Sequence, residues 1–126
     1  MINLFLITRP RYDITTYYLF IWSKILIDFA KKKGRQVIDL QGERANKKEF
    51  VSVIAKKQPF LVMFNGHGDR DLISGQDGEI LVKADNNEKL LESKVVYARS
   101  CATGKVLGPK SIENGAKTYI GYDEDF

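Results

Sequence analysis

The chain has 126 residues, 44% hydrophobic and 29% charged, with a formal net charge of +4. That composition suits one globular domain with a core of its own and excludes a disordered or low-complexity protein. The lysines gather at 31–33, 47–48 and 56–57, and no basic stripe interleaved with aromatics marks a nucleic-acid surface.

"INLFLIT" (2–8) is a continuous apolar run, the mark of a strand buried on both faces. "DITTYYLFIWSKILIDFAKKKG" (13–34) reads as a helix with Asp13 or Thr15 as its cap and Gly34 as its end. Tyr18, Ile21, Trp22, Ile25 and Phe29 recur along it at helical spacing, the stripe by which such a helix is ordinarily buried. "RQVIDL" (35–40) is a second strand. "NKKEFVSVIAKK" (46–57) is a second helix, opened by a capping-box-like Asn46 and Glu49, with Phe50, Val53 and Ile54 inward. The lysines at 31–33 and 56–57 close the two helices, where cations oppose the negative end of the helix dipole.

Pro59 ends the second helix, and "FLVMFN" (60–65) is a third buried strand. Residues 66–83 are rich in Gly and Asp and read as a surface excursion with a small hairpin. A short helix or turn at 87–94 precedes a fourth strand, "KVVYARS" (94–100). A loop with a short helix starting at Pro109 leads to a fifth strand, "AKTYIGY" (116–122). Strands alternating with helices predict a single α/β domain over 1–126 with a mainly parallel sheet flanked by helices. Such sheets form their sites where loops leave the carboxyl ends of the strands.

The only histidine, His67, follows the third strand, and the only cysteine, Cys101, follows the fourth. If those strands are neighbours, the two side chains emerge on one edge. A thiol beside an imidazole is a nucleophile with a base and acid at hand. Gly66 and Gly68 flank His67 and allow close approach of a substrate backbone. The N–H groups of Gly68 and Cys101 are the candidate oxyanion donors.

"FNGHGD" (64–69), "VVYARSCATG" (95–104) and "NGAKTYIGY" (114–122) resemble the motifs of caspase-like cysteine peptidases, closest to the CHAT-domain and gingipain forms. The resemblance implies a three-layer sandwich with sheet order 2-1-3-4-5. It also implies His67 as general acid/base, Cys101 as nucleophile, and an oxyanion hole from Gly68 with Cys101. The implied activity is that of a cysteine-type endopeptidase with a Cys-His dyad, acting on a peptide or protein substrate. The chain reads as the N-terminal part of such a domain, lacking its last strand and loops, so an exposed sheet edge would invite self-association. The alternative is a catalytically inactive CHAT-like interaction module. A flavodoxin-like domain with unrelated His and Cys is a third reading.

Two charged groups compete for substrate binding: Arg9 and Arg11 after the first strand, for an acidic side chain, and Asp123 with Glu124 and Asp125 after the fifth, for a basic one. No cofactor or metal is called for. "DRDLISGQDGE" (69–79) misses the calcium-loop spacing, and "GHGDRD" lacks the Gly-Lys-Ser/Thr ending of a phosphate loop. A single cysteine forms no internal disulfide and fits a reducing, cytoplasmic setting. "MINLFLITRPR" has no basic start or cleavage site of a secretory signal. Lys24 and Asp28 interrupt the apolar tract at 17–30, so no membrane span is expected.

Overall fold

The apolar runs become the strands of one parallel sheet. A computed structural model describes residues 4–125. In chain order its elements are β1 (Leu4–Arg9), α1 (Ile14–Lys32), β2 (Gln36–Gln41), α2 (Lys47–Lys57), β3 (Leu61–Asn65), β4 (Gly68–Asp69), β5 (Leu72–Ser74), β6 (Ile80–Lys83), β7 (Val95–Arg99), α3 (Leu107–Glu113) and β8 (Thr118–Ile120). The main sheet has the order β2-β1-β3-β7-β8, and each adjacent pair is parallel. Counted among its own strands, that is the expected 2-1-3-4-5. The part of the first predicted strand at residues 2–3 lies outside the described residues. The excursion at 66–83 is a three-stranded antiparallel meander, β4-β5-β6, rather than a simple hairpin.

Alternation along the strands divides the core between the two faces of the sheet. On one face Leu6, Leu40, Val62, Phe64, Val96 and Ala98 pack against Phe50 and Ile54 of α2, Leu107 of α3, and Ile73, Leu81 and Val82 of the meander. The rings of Phe50 and Phe64 lie 5.3 Å apart. On the other face Phe5, Ile7 and Met63 pack against Ile27 of α1. Three helices thus flank the sheet, α1 on one side and α2 with α3 on the other. The meander is locked onto the loop before α2 at Gly75, where a Cβ would stand 2.1 Å from the Ala45 carbonyl oxygen. The next residue, Gln76, donates its N–H to that same oxygen at 2.8 Å.

The caps formed as the sequence suggests. The Asp13 carboxylate accepts from the Thr16 N–H, and Thr16 reaches back to the Asp13 N–H, closing a capping box. Asn46 accepts from the Glu49 N–H at the start of α2. The orientation of α1 did not follow its periodicity. Its buried residues are Thr16, Leu19, Ser23 and Ile27. Tyr18, Ile21, Trp22, Ile25 and Phe29 all face outward, with Trp22 56% and Ile25 69% exposed. The tract is apolar on nearly every side, so periodicity alone could not choose a face. Ser23 decides it, because its hydroxyl accepts from the buried Arg9 Nε at 2.7 Å, which turns the Ser23 face inward. Among the described residues, no helix is long and apolar enough to cross a membrane.

Candidate active site

The last paired residues of the two central strands are Asn65 on β3 and Arg99 on β7. Two residues beyond each stand His67 and Cys101. Neighbouring strands run about 4.8 Å apart, so the two functional groups leave the same edge from equivalent positions. The loops touch at Gly68. A Cβ there would lie 2.7 Å from both Ser100 Cβ and Thr103 Cγ2, and 3.2 Å from the Cys101 carbonyl oxygen. Only glycine lets the histidine loop lie this closely on the cysteine turn.

His67 is held from several sides. Its carbonyl accepts from the Ser74 N–H at 3.0 Å and the Ser74 hydroxyl at 2.8 Å. The Tyr12 ring stands edge-on to the imidazole, 6.0 Å between centroids. Its Nε2 lies 2.6 Å from Asp13 Oδ2. The sequence marked Asp13 as a candidate cap and missed this second partnership. A usable signal existed, since Asp13 lies four residues past the carboxyl end of β1, the strand beside β3. The two carboxylate oxygens divide the work, Oδ1 accepting from the Thr16 N–H and hydroxyl and Oδ2 from His67. An Nε2–H donated to Asp13, the tautomer this hydrogen bond assigns, leaves Nδ1 without a proton and able to act as a base.

Burial pushes the Asp13 carboxyl up, but hydrogen bonds from the Thr16 N–H and hydroxyl and from His67 outweigh it and hold it below its ordinary 3.8. A carboxyl depressed in the folded state adds stability that is present above the ordinary value and lost as pH falls through the folded one. Asp13→Ala is therefore expected to cost about 1 kcal/mol near neutrality, a typical loss for a helix cap. The deficit relative to the wild type should shrink below pH 3.8, which urea titrations on both sides of that pH would measure.

Cys101 is a half-buried free thiol. Its turn is strained at Ala102, where φ is 59°, the left-handed region. The turn is tied to the chain beyond β8: the Ala102 N–H donates to the Glu124 carbonyl at 3.1 Å and the Gly104 N–H to the Tyr122 carbonyl at 2.7 Å. The Cys101 N–H takes part in none of these turn bonds. In the meander the His67–Ser74 pair is hydrogen-bonded, so Gly68 and Ile73 form the next, non-bonded pair. The Gly68 N–H consequently points away from β5. Among the described residues, neither N–H makes a bond to the turn or to β5.

The charged candidates separate. Arg9 does not line the site. It is 2% exposed, with Nη1 on Asp39 at 2.7 Å, Nη2 on the Phe20 carbonyl at 2.6 Å, and its guanidinium 4.0 Å from the Phe20 ring centroid. The expectation that it grips a substrate is corrected, because its charge is spent inside the fold. Arg11 is exposed beside Tyr12 and Asp13, its guanidinium 4.6 Å from the same ring centroid. Asp123 is exposed and, with Gly104, Tyr119 and Gly121, lines a groove of about 570 Å³ along the cysteine turn. Among the described residues, no three His, Cys, Asp or Glu side chains gather where a metal ion would be held. No protein-family model matches the chain, and no curated protein matches it.

Proposed function

We propose that this chain is a cysteine-peptidase domain of caspase-like type, with Cys101 as nucleophile and His67 as general acid and base. The observation that carries the reading is the placement of the two residues at equivalent positions past neighbouring parallel strands, with Asp13 Oδ2 2.6 Å from Nε2 of the imidazole. Nδ1 of His67 takes the Cys101 proton, and the thiolate attacks the peptide carbonyl carbon. The carbonyl oxygen becomes an oxyanion that accepts from the N–H groups of Gly68 and Cys101. The imidazolium, stabilised by the Asp13 carboxylate, returns its proton to the leaving amine as the C–N bond breaks, leaving a thioester. Water then attacks the thioester with His67 again as base, and the free carboxylic acid and thiol are released. In this reading Arg11, exposed beside Asp13, and Asp123, in the groove with Gly104, are the charged groups that select the residue before the scissile bond.

A second reading, a non-catalytic interaction module on the same fold, is favoured by the apolar outer face of α1. The two are told apart by labelling. Peptides carrying an acyloxymethyl ketone after an acidic or a basic residue are expected to modify Cys101, as seen by intact mass. His67→Ala should slow this by about 100- to 10,000-fold, while iodoacetamide still labels the thiol. A Cys101 that takes iodoacetamide but no peptide electrophile, with or without His67, would sink the peptidase reading and leave the module.

A further inference from the structure

Helix α1 is apolar on both faces. The face it turns to its own sheet carries Leu19 and Ile27 with two hydroxyls, Thr16 and Ser23, while the face it turns away carries Ile14, Tyr18, Ile21, Trp22, Ile25 and Phe29. At about 150–250 Å² for each aromatic side chain, Tyr18, Trp22 and Phe29, each a little over half exposed, leave on the order of 250–400 Å² in the open, and the three isoleucines extend that patch along the helix. The largest patch on a typical monomer is about 300–600 Å², and one side of a standard protein interface is about 800 Å². Continuous with the stripe, under Phe29, is an apolar hollow of about 520 Å³ whose floor is Leu61, Met63 and Tyr97. We propose that this face is the dimer interface of the protein, and that its occupant is α1 of a second copy, packed antiparallel about a two-fold axis.

Three observations select that occupant. The stripe and the hollow beside it form one continuous apolar face along the helix. The spacing 14, 18, 21, 25 alternates four and three residues, the seam by which two helices interlock knobs into holes. The charge distribution then chooses the direction. Lys31, Lys32 and Lys33 stand at one end of the helix, Arg11 and Asp13 stand together beside Ile14 at the other, and between them Lys24 and Asp28 neutralise each other at 2.7 Å. A parallel pair would set three lysines against three. An antiparallel pair separates them by most of a helix length, about 28 Å for 19 residues, beyond a screening length of about 8 Å, and opposes the helix dipoles favourably.

The test is light scattering behind size exclusion on the full chain, over a range of concentrations up to about 100 μM. A dimer is expected. Trp22→Glu and Ile25→Glu, made separately at exposed positions, should each weaken it by about 30-fold or more, as for an interface hot spot, with far-UV circular dichroism unchanged. Trp22 is the only tryptophan, so its emission should shift to the red as the wild type is diluted. In a Cys101→Ser background, Ile21→Cys near the axis should cross-link to its own copy on oxidation and Ile14→Cys should not. A wild type that stays monomeric would overturn the proposal, as would a dimer that survives both charge insertions. Self-cross-linking of Ile14→Cys would overturn the antiparallel arrangement. A monomer whose Trp22 emission moves to the blue only on adding phosphatidylcholine vesicles would give the face to a lipid surface instead.

Discussion

Cys101→Ala is expected to bring hydrolysis of a susceptible peptide down to the background rate, a loss of at least about 10,000-fold, and His67→Ala to do nearly the same. The proposed mechanism makes the two one unit, so the double variant should be no worse than either single one. Additive losses would mean that the side chains do not share a step. Asp13→Asn is the more telling change. Asparagine still caps a helix, so α1 and the fold should persist. Its carbonyl oxygen takes over the Thr16 bonds made by Oδ1, which turns the amide NH₂ toward His67 Nε2. Nε2 must then accept, the proton moves to Nδ1, and the base is lost. The expected result is a fall of about 100- to 10,000-fold in kcat with the urea midpoint nearly unchanged. A variant as active as the wild type would show that Asp13 only caps the helix.

Arg9→Met is expected to be the most destabilising substitution of a charged residue in this chain. Arg9 is joined to Asp39, Ser23 and the Phe20 carbonyl at once and ties β1, β2 and α1 together. Removing it leaves the Asp39 carboxylate without its donor, while the Phe20 carbonyl keeps the Ser23 hydroxyl. The loss of one partner of a buried pair costs about 3–5 kcal/mol, and the lower end is expected here because the Asp39 side chain keeps some contact with water. Urea unfolding would read the change. The double variant Arg9→Met/Asp39→Leu should recover most of the loss, since it removes the orphaned charge as well. If the single variant is as stable as the wild type, Arg9 does not organise the α1 face as argued above.

What the sequence determined by itself was local. A continuous apolar run makes a central strand whatever surrounds it, Asp13 and Asn46 begin helices through bonds to residues one turn on, and Pro59, with no N–H to give, ends one. Strand-then-loop order was enough to put His67 and Cys101 at the carboxyl edge of a parallel α/β sheet, while the tertiary structure made their two strands neighbours. Everything that depended on a distant partner was decided in the tertiary structure. The bond from Asp13 to His67 spans 54 positions and that from Arg9 to Asp39 spans 30, and nothing in either local segment announces them. The outward face of α1 is the clearest case. Its apolar residues repeat at the right period, but period specifies a stripe and not what the stripe meets. The buried guanidinium of Arg9 needed the Ser23 hydroxyl, and satisfying that one buried charge turned the helix's most apolar side to the solvent.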